Sequence, residues 1–221
     1  EALEKEKIGT FSEPSIEKIV SLRPDIIFAT GLEQAAVVER LKKIGLKVYV
    51  SYPSTINELL TEIKNIGKLT NRQKEADSLV DSMRERIDAI SRETKAILPG
   101  NKKKVFIEIW HDPLFTAGRG SFVDELVKIA GGINIAYDTP GPYSCFSAEL
   151  VIERNPDFII LGHQGEPDVI SSMKKRIGWG GISAIRNNGI CDDINPDLFL
   201  RPGPRLVDGL EKIYRKLYEK G

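Results

Sequence analysis

The chain has 221 residues, of which 41% are hydrophobic and 29% charged. At about 100–200 residues per domain that length forms one large domain or two small ones, with enough chain to bury a real core. Lys+Arg and Asp+Glu both total 32, so the formal charge is zero and the basic excess of a nucleic-acid binder is missing. No apolar run approaches the roughly 18 residues that span a bilayer, and residues 1–7 are charged, unlike a signal segment. Cys145 and Cys191 exclude a disulfide framework and a cysteine-based zinc site, and two buried thiols are expected before one bridge. With only His111 and His163, a multi-histidine metal site is not expected either.

In chain order, β-rich runs at 25–30, 47–52, 105–110, 157–162 and, more weakly, 189–194 alternate with segments of helical apolar spacing. The helical segments are 15–23, 33–44, 56–69, 122–130, 148–154, 169–177 and 206–218. Strand–helix alternation predicts an α/β fold with parallel sheet. The stretch 72–97 differs: it lacks Gly and Pro and is charged throughout. Its apolar stripe is narrow, through Ala76, Val80, Met83, Ile87, Ile90 and Ile97. As one helix it reaches about 39 Å. It predicts a spine between an N-terminal lobe at 1–70 and a C-terminal lobe at 100–221, with 71–99 linking them.

An internal repeat supports two lobes. Ser15-Ile16-Glu17-Lys18-Ile19 with Pro24-Asp25-Ile26-Ile27 recurs 132 residues later as Ser147-Ala148-Glu149-Leu150-Val151 with Pro156-Asp157-Phe158-Ile159. Each copy reads as a Ser-capped helix with Glu in its positive first turn, a Pro-Asp turn and a buried strand.

The densest polar and aromatic cluster follows the strand at 105–110. There Trp110 and His111 sit at the carboxyl end, where ligands gather in α/β sheets. Beyond them Gly118-Arg119-Gly120-Ser121 leads into a helix. A glycine loop at a helix start can cradle an anion, but neither a full dinucleotide fingerprint nor a P-loop is present. No nucleophile elbow and no H-E-x-x-H motif occurs, so an enzyme is not expected; a phosphate-using α/β enzyme built on residues 118–121 is the rival reading. Near the end, Phe199-Leu200-Arg201-Pro202-Gly203-Pro204-Arg205 forms a stiff loop before the last helix. Its Arg201 suits a ligand carboxylate or phosphate.

Three blocks together carry a resemblance. They are Gly9-Thr10-Phe11-Ser12-Glu13-Pro14-Ser15-Ile16-Glu17-Lys18-Ile19 with Pro24-Asp25; Glu108-Ile109-Trp110 through Asp112-Pro113-Leu114 to Thr116-Ala117-Gly118, with Gly131-Gly132-Ile133-Asn134-Ile135-Ala136; and Arg201-Pro202-Gly203-Pro204-Arg205. In this order they resemble the helical-spine (class III) substrate-binding proteins of ABC importers, most closely the cobalamin-binding branch. The resemblance implies two Rossmann-like lobes with parallel sheets joined by one long α-helix. It also implies a transported ligand held between the lobes: cobalamin, or alternatively haem or a ferric siderophore, with no resident cofactor or metal. It implies a permease dimer with its ATPase as partner, a monomeric state, and a place outside the cytoplasm, in the periplasm or as a membrane-anchored lipoprotein. Members usually carry a further strand–helix–strand before the block at Gly9, so an incomplete first lobe is expected. The ligand-facing residues expected from the resemblance and the loop positions are Phe11, Ser12, Glu13, Tyr52, Trp110, Phe115, Arg119, Tyr143, Phe199 and Arg201. Aromatics suit the flat apolar face of a corrin or porphyrin, and Tyr143 is alternatively a haem-iron ligand. By position, Glu33 and Glu125 are the expected permease-docking carboxylates.

Overall fold

A computed structural model describes residues 4–163 and 169–219. The chain divides into two compact units, Glu1–Pro53 and Ser54–Gly221.

The first unit is small. Helix α1 (Ile16–Ser21) starts at Ser15, whose hydroxyl accepts from the Lys18 N–H at 3.2 Å. Strand β1 (Ile27–Ala29) follows, then α2 (Ala35–Lys43) and β2 (Val48–Val50), which pairs parallel with β1. Ile19, Val38 and Leu41 form its buried apolar set.

The second unit opens with α3 (Ile56–Leu69), capped by the Thr55 hydroxyl, and the 23-residue α4 (Gln73–Lys95). The expected stripe is buried at Ala76, Val80, Met83 and Ile90. Thr94, which interrupts the stripe in sequence, is buried too, because its hydroxyl donates to the Ile129 carbonyl at 2.8 Å. That carbonyl ends a helix and would otherwise lack a donor. Arg86 on α4 donates to Asp208 (2.6 Å) and Glu211 (2.7 Å) on the last helix, α9 (Leu206–Tyr218).

These contacts correct the expected boundary. Helix α3 and the long helix both belong to the second unit, where Ile56, Leu59, Leu60, Val80 and Met83 share one core with Leu206, Val207 and Leu210. The division therefore falls at Pro53/Ser54 instead of near residue 70. The helix expected as a separate link is a wall of the larger unit, because its apolar stripe needs α3 and α9 to cover it.

Among the described residues the sheet of this unit has six strands. Its central strand β3 (Lys104–His111) pairs parallel with β7 (Phe158–Leu161) and β5 (Ile133–Asn134), and β7 pairs parallel with β8 (Ile190–Cys191). On the edge away from β7, which β5 also occupies, β3 runs antiparallel to β4 (Leu114–Ala117), which runs antiparallel to β6 (Tyr143–Cys145). The sheet is thus mixed, and the all-parallel expectation is corrected at the β4–β6 corner. Val105 and Ile107 face one core with α5 (Phe122–Ile129) and α9; Phe106 faces a second with Val151, Met173, Trp179 and Ile185. Both faces are covered, which is why β3 reads as an apolar run interrupted by Glu108. The second core is closed by α6 (Ala148–Arg154), α7 (Val169–Lys175) and α8 (Ser183–Arg186). No helix among the described residues is long and apolar enough to cross a membrane.

Candidate functional site

Each unit presents an aromatic surface of its own. In the first, residues 8–15 close on themselves: the Ser15 N–H donates to the Ile8 carbonyl (2.7 Å), Gly9 bridges Pro14, and the Glu13 N–H donates to the Thr10 hydroxyl (3.1 Å). Gly9 has φ +122, and a Cβ there would meet the Glu13 carbonyl at 2.7 Å, so only glycine fits. The closure holds Phe11, Ser12 and Glu13 at the tip, all exposed, with Phe11 at 57%. Gln34 ties this tip to the end of β1, donating to the Phe11 carbonyl (2.8 Å) and accepting from the Thr30 N–H (3.0 Å). Tyr52, 62% exposed, borders an apolar groove of about 410 Å³ with Gly31, Ala35, Val38 and Val50. Glu33 is exposed in a short 3-10 turn beside it.

In the second unit the antiparallel corner does the positioning. Trp110 lies opposite Phe115, Phe115 opposite Cys145, and Tyr143 is two residues from Cys145. Directly opposed residues share a face and strand side chains alternate with period two, so Phe115 and Tyr143 stand on one face, with Trp110 opposite Phe115 across a bulge. Trp110 is 47% exposed, Tyr143 is exposed and Phe115 half-buried. A register shift between Glu108 and Trp110 re-aims the tryptophan, and its indole N–H donates to the Asp112 carbonyl at 3.0 Å. The turn between the strands contains a cis Asp112–Pro113 bond. The loop leading to Tyr143 is fastened by Arg154, which stacks on Tyr137 and Phe146 and pairs with Asp138 through two 2.7 Å bonds. That guanidinium holds the Asp138 carboxyl below its usual range.

Other expected site residues fall elsewhere. Phe199 is fully buried in the α4–α9 core and offers no surface to a ligand, because the chain turns inward before α9. Arg201 is exposed and paired with Asp197 at 2.8 Å. Arg119 is exposed on the glycine loop. Glu125 is committed internally: its carboxylate accepts the N–H of Ile56 at the start of α3, at 2.9 Å. The two cysteines are free, Cys191 buried as expected and Cys145 exposed, which corrects that half of the expectation.

The glycine loop is already filled. The Gly118 N–H donates to the Pro142 carbonyl (2.9 Å) and the Gly120 N–H to the Asp124 carboxylate (3.2 Å). A Cβ at Gly118 would fall 1.7 Å from the Thr139 hydroxyl, so packing explains that glycine. Asp124 is buried and also holds Lys128 and the Asn134 amide. A side-chain carboxylate thus occupies the place at this helix start that a phosphate would take.

One group escaped the sequence reading. Glu108, wholly buried, accepts from both terminal nitrogens of Arg176 (the second at 2.8 Å) and bonds His163 Nε2 at 3.1 Å. A carboxylate inside the apolar run of β3 signals a buried partner, but partners 55 and 68 residues away carry no local pattern. Among the described residues no three His, Cys, Asp or Glu side chains gather to hold a metal ion.

The periplasmic binding protein family matches residues 1–193 of the chain. The chain belongs to that family. Among relatives of this periplasmic binding protein is the uncharacterized ABC transporter substrate-binding lipoprotein YvrC of Bacillus subtilis, 31% identical over 96% of this chain and 68% of that one. A solved structure of a possible iron-binding, periplasmic solute-binding protein from Staphylococcus epidermidis superposes with TM-score 0.80 at 30% identity, over 95% of this chain and 82% of that one. The periplasmic vitamin B12-binding protein of Vibrio cholerae superposes with TM-score 0.81 at 25% identity, over 98% of this chain and 82% of that one. The periplasmic binding protein described here is therefore a substrate-binding protein of the ABC-transporter type.

Proposed function

We propose that this periplasmic binding protein works outside the cytoplasm, captures a cobalamin-like corrinoid and hands it to a permease dimer driven by its ATPase, without chemical turnover. The observation that carries the reading is the gathering of Trp110, Phe115 and Tyr143 on the antiparallel β3–β4–β6 corner, with Trp110 and Tyr143 exposed there. Such a surface suits a large flat ring system, and Phe11 and Tyr52 give the first unit aromatic surface of the same kind. The similarity to a vitamin B12-binding protein across nearly the whole chain supports the ligand class. The filled glycine loop argues against a phosphate-using enzyme.

A second reading, a ferric siderophore, is favoured by the similarity to a possible iron-binding protein. Arg119 is its candidate cation, since Arg201 is already paired. Haem, with Tyr143 toward the iron, is the third ligand. A thermal-shift panel of cyanocobalamin, haemin and a ferric hydroxamate decides among them. Ligand at 100 times its Kd adds about 2.7 kcal/mol of stability. Stabilisation by cyanocobalamin alone is expected, and a shift only with haemin or only with the hydroxamate overturns the corrinoid reading.

For the permease side, the internal repeat indicates a better pair than Glu33 and Glu125. Glu17 and Glu149 are repeat-related, exposed, and each sits in the first turn of a Ser-capped helix. Charge reversal at both is expected to abolish ligand-stimulated ATPase activity of the reconstituted importer while ligand affinity stays within twofold. Unimpaired stimulation returns the role to other residues.

A further inference from the structure

Against the Trp110 ring lies a chain of contacts that the ligand reading does not use. Trp179, at the bottom, carries the Arg176 guanidinium over its ring at 4.5 Å. Arg176 grips the Glu108 carboxylate with two nitrogens, a planar fork-to-fork pairing that fixes both partners in angle as well as distance. Glu108 in turn bonds His163 Nε2 at 3.1 Å. An ionised carboxylate only accepts, so Nε2 carries the proton and the imidazole ring is held in one orientation. The ring of His163 then meets Trp110 edge to face, with centroids 5.8 Å apart and planes at 69°. His111 adds the third side of this aromatic group, 5.0 Å from Trp110 and 5.6 Å from His163.

The Glu108 side chain is 0% exposed and His163 5%, with Arg176 at 22%, while Trp110 emerges half into solvent. An exposed tryptophan at a strand end has several rotamers open to it, and freezing the side chain into one of them on binding costs affinity. A ring already braced before the ligand arrives avoids that loss.

We propose that His163 is a positioning residue for the ligand platform: fixed by Glu108 and Arg176, it holds the Trp110 ring in its binding orientation before the ligand arrives. The proposal rests on the reading of Trp110 as ligand-facing. The brace itself is a property of the free protein and is measurable without ligand.

Two measurements test it. In a Trp179→Phe background Trp110 is the sole tryptophan, so emission anisotropy reports the freedom of that ring alone. His163→Gln keeps a donor for Glu108 but removes the imidazole; Arg176→Lys keeps the charge but loses the fork. Both are expected to melt within a few degrees of the parent and to lower the anisotropy of Trp110. Unchanged anisotropy in both overturns the proposal, whatever the ligand results. The second measurement is a cycle read by titration calorimetry with cyanocobalamin. His163→Gln is expected to weaken binding about tenfold in the parent and less than twofold in the Trp110→Ala background. Equal losses in the two backgrounds mean that His163 does not act through Trp110 and overturn the proposal. A parent protein that fails to bind cyanocobalamin counts against the corrinoid reading, and the anisotropy result then decides the brace by itself.

Discussion

Arg23 and Asn155 stand 132 residues apart and share the same unusual backbone, φ 47 and φ 46, each just before the Pro-Asp that opens a strand. The helices before them are capped alike, Ser15 accepting at 3.2 Å and Ser147 at 3.3 Å from the N–H three residues on. The repeat therefore extends below residue identity to the left-handed turn itself. The side chains adapt to it differently. Asn tolerates this region, and Asn155 Oδ1 also accepts the Ser183 N–H at 2.7 Å, whereas Arg23 sits there against its preference.

Arg23→Asn is accordingly expected to raise stability by a few tenths to about 1 kcal/mol, and Asn155→Ala to lower it by about 1–2 kcal/mol. Urea unfolding of the two variants measures both, and a stabilising Asn155→Ala would refute the account of the turn.

Trp110 and Phe199 should respond in opposite ways to truncation. Trp110→Ala is expected to cost little stability and to weaken cobalamin binding at least tenfold, about 1.4 kcal/mol. Phe199→Ala, in a closed core, is expected to cost about 3–5 kcal/mol of stability and to leave the affinity of the folded fraction nearly unchanged. Melting curves paired with calorimetry separate the two, and an early-melting Trp110→Ala with normal affinity removes it from the site.

Glu125 supplies a carboxylate to the first turn of α3, where unpaired N–H groups and the positive end of the helix dipole favour it. Removing such a cap costs about 1 kcal/mol, so Glu125→Ala should lower the melting temperature by a few degrees. Glu33→Ala, at an exposed turn, should leave it unchanged, and equal effects would mean that the α3 cap contributes nothing.

Burial pushes the Cys191 thiol up to about 12, with Asp193 and Asp192 adding to the rise and Lys216 opposing it. Below about pH 9 the thiol is protonated in both folded and unfolded chains and does not affect the balance between them. Between about pH 9 and 12 the unfolded chain releases its proton first, so stability falls as pH rises. Cys191→Ala should flatten the loss of melting temperature between pH 9 and 11. In the folded protein at pH 8, iodoacetamide should label Cys145 alone, with Cys191 reacting only after denaturation.

Helices α3, α6 and α9 are legible in the sequence to the residue, because Thr55, Ser147 and the prolines before Leu206 mark their starts and strong apolar periodicity carries each to its end. Strands β4 and β6 were not legible: four and three residues are too short to show a period, and both lie in loops rich in Gly and Pro. The unit boundary was missed because an amphipathic helix states that it needs a partner without naming it, and the apolar face of α3 found α4 and the core shared with α5 and α9. Phe199 misled for the same reason, since a loop aromatic beside prolines looks alike in sequence whether it turns out or in. At the site, Trp110 at a strand end was legible from position. The contacts that orient it were not, because they join β3 to residues far along the chain.

Asp124 makes the second unit self-sufficient in one further respect. The helix start that free anions favour carries its own negative charge, neutralised within the fold by Lys128 and two neutral donors. Inorganic phosphate and sulfate therefore find no vacancy there. Switching the buffer from phosphate to an amine should therefore leave the melting temperature where it was.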